Sequence, residues 1–368
     1  MSKWSKLGQI FDPRHHDLGE GVVGFAQSPQ AVPFDEFVRI YFSSRKLSKN
    51  GKFLSVIRFV DIDKTLENIL YVHKHDVIDQ GQLGNFDEHG IFPFNVIKMG
   101  QRFYGYTSGW SRRQSVSVET SIGLAISDDG GKKFVRYGNG PIMTASINEP
   151  FLVGDPFVME ISGRYHMWYI FGTKWEMNSD VGFPERVYKI GHSTSTDGIS
   201  WERGNGRQII EDKIGDDECQ ALPTVIKINE QFHIFFCYRY MHDFRRNKEF
   251  SYRIGHASST DLITWNRDDE TCSLSVSEHG WDSQMVCYPH VFEYQKQKDL
   301  IREPLMGWTG SQDTNEQVKL LFDDVDQAIN YAKKNNIEYE VIPEIEKKYR
   351  SKLYSDNFRF DRKDKWTH

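Results

Sequence analysis

The sequence of 368 residues has few cysteines and no long apolar run. Its four cysteines, Cys219, Cys237, Cys272 and Cys287, are scattered and form no C-x-x-C pair, which excludes a disulfide framework and a cysteine-only zinc site. The amino terminus, MSKWSKLGQIFDPRHHDLGE, lacks the apolar core and cleavage site of a secretory signal. No segment approaches the roughly 20 apolar residues that span a bilayer. These absences predict a cytoplasmic protein with inert, half-buried strand cysteines.

The sequence also lacks a strong excess of either charge. It has 46 Lys and Arg against 52 Asp and Glu, a formal net charge of -6. Nothing global therefore favours nucleic acid or an anionic membrane as a partner, whereas small molecules and proteins stay open. Aromatic residues make up 14% and glycines number 29, as is typical of a folded, turn-rich chain. We expect neither a cofactor nor a bound metal.

A proline followed by apolar strand residues recurs five times. The copies read SPQAVPF, FPFNVIK, DPFVMEI, LPTVIKI and YPHVFEY, with prolines at positions 29, 93, 156, 223 and 289. This spacing of about 65 residues is too regular for chance. An aromatic strand with period-two character follows the first four copies, and three of them continue into a hairpin such as IGHSTSTDGISWERG. Each copy therefore predicts a four-stranded antiparallel sheet.

Radial packing of such sheets buries both faces of each, which predicts an all-β five-bladed propeller over residues 1–296. A β-sandwich needs no fixed spacing and β-helix coils are far shorter, so both fit worse. The fifth blade is expected to be incomplete, because KDLIREPLM stands where its second strand should follow. Residues 301–368 predict a small C-terminal α/β appendage, with strands QVKLLF and IEYEVIP around the helix DDVDQAINYAKKNN.

Acidic residues stand before or within the predicted inner strand in four of the five copies. In a propeller these positions are expected to face the mouth of the central channel. Hydrolysis of a glycosidic bond needs two carboxyl groups, one with a raised pKa and one ionised. The alternative is structural, because acids at strand starts often cap turns or hold neighbouring blades together. The candidates are Asp87, Glu88, Glu149, Asp155, Glu218 and Asp282.

Other side chains near these strands suit a sugar ligand. Trp110, Trp175 and Tyr238 are candidates to stack on sugar faces, and Arg113 and Arg239 are candidates to pair with an anionic substituent.

The repeat, together with GDPF in the third copy, ECQALP in the fourth and GWDSQMVCYP in the fifth, resembles the five-bladed propeller superfamily of glycoside hydrolases. That superfamily contains arabinanases, xylosidases, invertases and levansucrases, and the likeness is nearest to a bacterial branch linked to surface polysaccharide loci. The resemblance implies that Glu218 is the general acid and that Asp155 tunes the pKa or stabilises the transition state. It implies an oligosaccharide or polysaccharide precursor as ligand.

The first copy departs from this superfamily. The base or nucleophile of the superfamily is an Asp, whereas AQSP places Gln27 and Ser28 there, and neither supplies a carboxylate. Either Asp87, Glu88 or His89 substitutes from the second copy, with His89 able to act as a base near neutral pH, or the protein binds glycans without cleaving them. A lone His is also often a structural hydrogen-bonding group. Hydrolysis, glycosyl transfer and binding alone therefore all stay open.

The carboxyl-terminal segment carries a second resemblance. EPLMGWTGSQDTNEQVKLLF, AINYAKKNNIEYEV, YSDNFRFDR and WTH are similar, in order, to the C-terminal part of the small accessory, or iron-sulfur-protein, subunit of respiratory complex I. This implies non-catalytic docking onto the hydrophilic arm of an NADH:quinone oxidoreductase, at the inner face of the inner membrane. The segment has no Cys to ligate a cluster. Because both families are cut at the same place, a gene fusion, natural or artefactual, is a third interpretation.

Overall fold

A computed structural model describes residues 4, 6–178, 182–272, 274–294, 301–302, 309–310 and 325–334. The chain divides into two units, Met1–Gln295 and Lys296–His368, and each is described separately below. In the first unit the described residues form four antiparallel four-stranded sheets. The fold is an all-β propeller, and each of these sheets is one blade.

The strands of a blade follow one another outward in chain order, from the innermost to the outermost. Blade one consists of β1 (Gln27–Pro33), β2 (Val38–Leu47), β3 (Phe53–Ile62) and β4 (Ile69–Val72). Blade two consists of β5 (Ile91–Met99), β6 (Arg102–Arg112), β7 (Val118–Ser127) and β8 (Val135–Arg136). Blade three consists of β9 (Val153–Ile161), β10 (Arg164–Asn178), β11 (Phe183–Ser195) and β12 (Glu202–Arg203). Blade four consists of β13 (Glu218–Ile228), β14 (Gln231–Tyr240), β15 (Arg253–Ser259) and β16 (Asn266–Arg267), followed by the short helix α1 (Asp269–Cys272).

The repeat prolines give all four inner strands the same irregularity. Because proline has no N–H to donate, the ladder is interrupted and the strand bulges. The register with the second strand shifts between residues 27 and 30, 91 and 94, 154 and 157, and 221 and 224. The residue before the proline adopts a left-handed φ in four copies, at Ser28 (53°), Asp155 (51°), Leu222 (46°) and Tyr288 (61°), whereas the second copy has a cis Phe92–Pro93 peptide.

The hairpin between the third and fourth strands is held by a Ser-x-Asp turn in three blades. In blade three the Ser195 hydroxyl donates to Asp197 at 2.9 Å, and Asp197 accepts backbone N–H groups from Ile199 and Ser200 at 2.8 Å. These hydrogen bonds lower the pKa of Asp197 to about 2, and the backbone N–H donors contribute most. The same turn occurs at Ser127 and Ser259.

The apolar core lies between neighbouring blades. Separate clusters of buried side chains join blades one and two, two and three, and three and four. Cys219 and Cys237 are buried strand residues of blade four, and Cys287 is half-buried outside any strand. All three of these cysteines are free thiols.

The prediction of five blades is wrong for the described residues, which form four. The fifth-copy segment, residues 285–294, forms no strand, and residues 295–300 are not among those described. An inner strand needs a partner strand for its backbone hydrogen bonds. Instead, the Val291 N–H donates to the Thr224 hydroxyl of β13 at 3.3 Å, and His290 Nε2 donates to the Ala31 carbonyl of β1 at 3.2 Å. The fifth copy thus contributes a segment between blades four and one rather than a blade.

The second unit has few described residues. β17 (Ile301–Arg302) pairs with β18 (Thr309–Gly310) in an antiparallel ladder, and α2 spans Val325–Lys334. The helix predicted for DDVDQAINYAKKNN is therefore present, whereas the predicted strands QVKLLF and IEYEVIP lie outside the described residues. Within the described part of the chain, no helix has the length and apolar character needed to cross a bilayer.

Candidate functional site

A cavity of about 490 Å³ is formed where the four blades and the fifth-copy segment meet. We call it the central cavity. Its volume falls in the range of ordinary ligand pockets, about 300–1,000 Å³. Its lining combines aromatic rings with four guanidinium groups from three different blades. The lining residues are Gln27, Arg45, Phe92, Trp110, Val118, Thr120, Arg186, Arg239, Phe244, Arg245, Tyr252, Met285 and Tyr288.

Arg239 is the most enclosed of these cations, with 1% of its surface exposed. It donates to the hydroxyls of Tyr188 at 3.0 Å and Tyr252 at 3.1 Å, and its Nη1 donates to two backbone carbonyls. Its guanidinium carbon lies 3.6 Å from the centroid of the Phe244 ring. Burial lowers the pKa of Arg239, but Tyr188, Tyr252 and Cys219 raise it, and the net direction is upward, so the group stays charged. Arg239 is a rigidly held cation in the wall of the cavity.

Asp155 lies close to this wall, at the proline bulge of β9. It is 9% exposed, and its Oδ2 accepts the Leu222 N–H at 3.2 Å. Burial raises the pKa of Asp155 to about 7, while the Leu222 hydrogen bond and the charge of Arg186 act in the opposite direction. Near neutral pH this carboxyl group therefore changes between a protonated and an ionised form.

Three of the predicted acids form the same kind of ion pair in three blades. In blades two, three and four, an acid that precedes or begins the inner strand pairs with an arginine of the outermost strand. We call this ion pair an acid–arginine clamp. Each of these acids is at most 1% exposed. The clamps are Asp87 with Arg136 at 2.6 Å, Glu149 with Arg203, and Glu218 with Arg267 at 2.6 Å.

Among the clamp acids, Glu218 is hydrogen-bonded at both carboxylate oxygens, whereas Asp87 Oδ1 is buried without a hydrogen-bond partner. One carboxylate oxygen of Glu218 accepts from Arg267 and from Gln220 Nε2 at 2.9 Å. The other accepts the backbone N–H groups of Lys213 at 2.8 Å and Ile214 at 3.1 Å. With 0% of its surface exposed, Glu218 is placed as a structural anion, and its predicted role as general acid stays a prediction.

Glu88 and His89 lie beside blade two rather than in the lining of the central cavity. Glu88 accepts the Gly84 N–H at 2.9 Å and lies 3.4 Å from His89 Nδ1, and the His89 ring stacks on Trp110 with centroids 5.5 Å apart. A second cavity of about 540 Å³ contains Glu88 and Arg113, but Arg113 pairs there with Glu119 at 2.9 Å.

The remaining predicted residues make other contacts. Asp282 accepts from Lys6 Nζ at 2.7 Å and from the Ser277 hydroxyl at 2.8 Å. Trp175 packs against the core and lies under the guanidinium of Arg186 at 5.3 Å, and Tyr238 lies under that of Arg267 at 4.7 Å. Of the twelve predicted site residues, Trp110 and Arg239 line the central cavity.

Several lining residues were not predicted from the sequence. Phe92 and Tyr288 directly precede a repeat proline, so the repeat spacing was a signal that could have found them. Arg45, Arg186 and Arg245 belong to no repeated motif, and only the assembled blades bring them together. Among the described residues, no group of three or more His, Cys, Asp or Glu side chains is arranged to hold a metal ion.

Solved structures share this fold. A glycoside hydrolase aligns with a TM-score of 0.56 at 13% identity, covering 74% of this chain and 84% of its own. A second structure, described as a candidate glycoside hydrolase of Parabacteroides distasonis, aligns with a TM-score of 0.51 at 12% identity, covering 73% of this chain and 81% of its own. The Bombyx mori GH32 β-fructofuranosidase aligns at 0.50 and 12% identity, covering 70% and 52%. The likeness predicted from the sequence is confirmed for the fold, which is all that such identities establish.

Sequence comparisons give relatives that cover most of the chain and a separate family match near its carboxyl end. Two uncharacterised proteins from strains of Mycobacterium tuberculosis are each 29% identical over 304 residues, which is 81% of this chain and 93% of each relative. Residues 286–364 match the family described as NADH dehydrogenase ubiquinone Fe-S protein 4. The second predicted resemblance is therefore also confirmed, and this match begins inside the fifth-copy segment.

Proposed function

We propose that the chain is a carbohydrate-active propeller that binds a saccharide in the central cavity. The observation that carries this proposal is the lining itself, in which Trp110, Phe92, Tyr252 and Tyr288 accompany guanidinium donors. Aromatic rings of this kind present apolar faces to sugar rings, while the guanidinium groups supply hydrogen-bond donors for hydroxyl oxygens. The shared fold of glycoside hydrolases supports the same class of ligand by analogy alone.

The lining favours recognition of the saccharide over its hydrolysis. Glycosidases place two carboxyl groups on either side of the scissile bond, about 5–9.5 Å apart. Among the described residues, no Asp or Glu side chain lines the central cavity. Asp155, buried near the wall, is the carboxyl group that we would test first for a part in turnover. Catalysis by Glu218, Asp87 or Glu88 would require these acids to leave their present hydrogen bonds.

Titration of the full-length protein with neutral and charged oligosaccharides tests this proposal. We expect Trp110→Ala to weaken saccharide binding by about tenfold, or about 1.4 kcal/mol, because it removes a large aromatic surface from the cavity wall. Trp281→Ala is the matched control, because Trp281 is 69% exposed and outside the cavity lining. Equal affinities in the two variants, or no binding in the wild type, would refute a saccharide site here.

Assays of product release then separate binding from turnover. If a bound saccharide is cleaved or transferred, we expect Asp155→Asn to reduce the rate while the unfolding transition remains cooperative. A stable Glu218→Gln variant that has lost turnover would instead support the role implied by the family resemblance.

A second candidate function rests on the match of residues 286–364 to the NADH dehydrogenase family. In this proposal the carboxyl-terminal segment docks onto the hydrophilic arm of an NADH:quinone oxidoreductase, as a non-catalytic accessory. Native electrophoresis of membranes from the source organism tests it. Co-migration with the complex that is lost on deletion of residues 301–368 would support docking, and migration independent of the complex would contradict it.

A further inference from the structure

The arginines of the central cavity differ from most other enclosed arginines in how their charge is neutralised. Elsewhere in the described residues, the half-buried Arg112 and Arg253 donate to backbone carbonyls, and the other enclosed arginines pair with carboxylates. Arg39 pairs with Asp61 at 2.7 Å and Arg58 with Asp76 at 2.6 Å, and the acid–arginine clamps do the same in blades two to four. Such pairing is expected, because a buried charge without a counter-ion is strongly unfavourable.

Three arginines of the cavity lack such a partner among the described residues. Arg45 donates to the Ser55 hydroxyl, and its guanidinium lies 5.4 Å from the Phe92 ring centroid. Arg186 donates to the Ser117 hydroxyl at 3.2 Å, and Arg239 donates to neutral hydroxyl and carbonyl oxygens. In contrast, Arg245 at the same cavity pairs with Glu185 at 2.9 Å. The cavity wall therefore carries three positive charges without an ion-pair partner among the described residues, and the charge of Arg186 also favours the ionised form of Asp155.

We propose that the saccharide bound in the central cavity carries an anionic oxygen group, which contacts Arg45 and Arg186 and is attracted by the buried charge of Arg239 behind them. This inference rests on the proposed function and names the class of ligand. Guanidinium groups bind carboxylate and phosphate oxygens through paired N–H donors. A phosphoryl group, with a charge of about -1.5 to -2 at neutral pH, matches three cations better than a single carboxylate does.

The aromatic part of the lining limits what else the ligand contains. Trp110 comes from blade two, Tyr252 precedes β15 of blade four, and Tyr288 comes from the fifth-copy segment. An inorganic anion would fill little of a cavity of about 490 Å³ and would leave these rings in water. A sugar ring attached to the anion covers them and extends from the cations, which accounts for both halves of the lining.

Calorimetric titration of the full-length protein at low salt tests this inference. The probes are glucose, glucose 6-phosphate, glucuronate and inorganic phosphate. We expect at least one charged sugar to bind about tenfold more tightly than glucose, which equals about 1.4 kcal/mol. Comparison of glucose 6-phosphate with glucuronate shows whether a phosphoryl or a carboxylate group is preferred.

Single arginine variants locate the contact. Arg45→Gln and Arg186→Gln are each expected to weaken binding of the charged sugar by about tenfold, and by more than they weaken binding of glucose. Arg102→Gln is the matched control, because Arg102 is exposed and pairs with Asp128 at 2.7 Å. Arg239 is buried, so its replacement would disturb folding as well as binding.

The outcomes separate this inference from the proposed function. Equal binding of charged and neutral sugars, unaffected by Arg186→Gln, would overturn the anionic ligand and leave the saccharide site standing. Binding of inorganic phosphate that depends on Arg186, with no binding of any sugar, would support the anion site and overturn the saccharide. Absence of binding by all four probes would overturn both.

Discussion

The fourth and fifth copies of the repeat begin in the same way and end differently. Leu222 and Tyr288 both precede a proline and both adopt a left-handed φ, of 46° and 61°. The fourth copy then completes a blade with a buried inner strand, whereas the fifth-copy segment forms no strand and its residues are half-buried or exposed. The local backbone at the proline therefore depends on the nearby residues, and the strand depends on partners further along the chain.

The acid–arginine clamp is a second difference between these copies. In blade four it joins Glu218, at the start of the inner strand, to Arg267 in the outermost strand. The acid of the fifth copy, Asp282, pairs with Lys6 near the amino terminus instead. A clamp thus stabilises a completed blade, while the fifth copy is held by contacts with other parts of the chain.

The largest predicted effect comes from breaking a clamp. Arg267→Gln should lower the free energy of unfolding by about 3–5 kcal/mol, because it leaves Glu218 as a buried charge without its cation. Urea unfolding measures this change. Arg102→Gln, in an exposed pair, should change it by less than about 1 kcal/mol. If both variants lose equally little, the clamp does not hold the blade.

A smaller effect is predicted for the fifth-copy segment. His290→Ala removes the hydrogen bond to the Ala31 carbonyl and a ring contact with Phe157, whose centroid lies 6.0 Å away. The free energy of unfolding should fall by about 2 kcal/mol, since a lost hydrogen-bond partner costs on the order of 1–3 kcal/mol. Glu293→Ala in the same segment is the control, because Glu293 is exposed. Unchanged stability of His290→Ala would show that the segment contributes nothing to the ring.

A pH-dependent effect is predicted for Asp155, which directly precedes the proline of the third copy, as Tyr288 does in the fifth copy. Its pKa is about 7 in the folded protein and 3.8 in its ordinary state, so the folded protein holds the proton more tightly. The resulting stabilisation is complete below pH about 4 and is lost as the pH rises to about 7. Asp155→Asn stays neutral, so it should be more stable than the wild type at pH about 8, where the wild type carries a buried carboxylate, and equal to it at pH about 4.

Asp261→Asn provides a control with the opposite sign. Backbone hydrogen bonds from Thr264 and Ile263, together with the Ser259 hydroxyl, lower the pKa of Asp261 to about 2. Its ionised form therefore stabilises the fold above pH about 4, and this stabilisation is lost as the pH falls towards 2. Urea unfolding at pH about 8 should show a lower free energy of unfolding for Asp261→Asn and a higher one for Asp155→Asn, each relative to the wild type. The same sign in both would contradict the raised pKa of Asp155.

Much of the fold was predictable from local residues. The proline spacing predicted the inner strands, and SDDGG, STDG and STDL predicted the hairpins, because each signal acts within a few residues through hydrogen bonds or a missing N–H. The number of blades was not predictable in this way. YPHVFEY is a good inner-strand sequence, yet a strand forms only where a second segment accepts and donates its hydrogen bonds.

The candidate site was less accessible to such reasoning. Acidic residues at strand starts were the visible signal, but in Asp87, Glu149 and Glu218 that signal belongs to the clamps. An acid that serves catalysis and an acid that neutralises a buried arginine cannot be told apart by the residues next to them in the sequence. They differ only in which side chain lies beside them, and the partners here are 49 to 54 residues away.

The order of residues alone was enough to specify a propeller and the junction between two resemblances, because these depend on spacing and on neighbouring residues. Only the assembled blades decided that Arg45, Arg186 and Arg239 share one cavity and that three acids do not. The reason is that charge is neutralised through space: which cation keeps a free charge depends on which carboxylates the packing of the blades brings within about 4 Å.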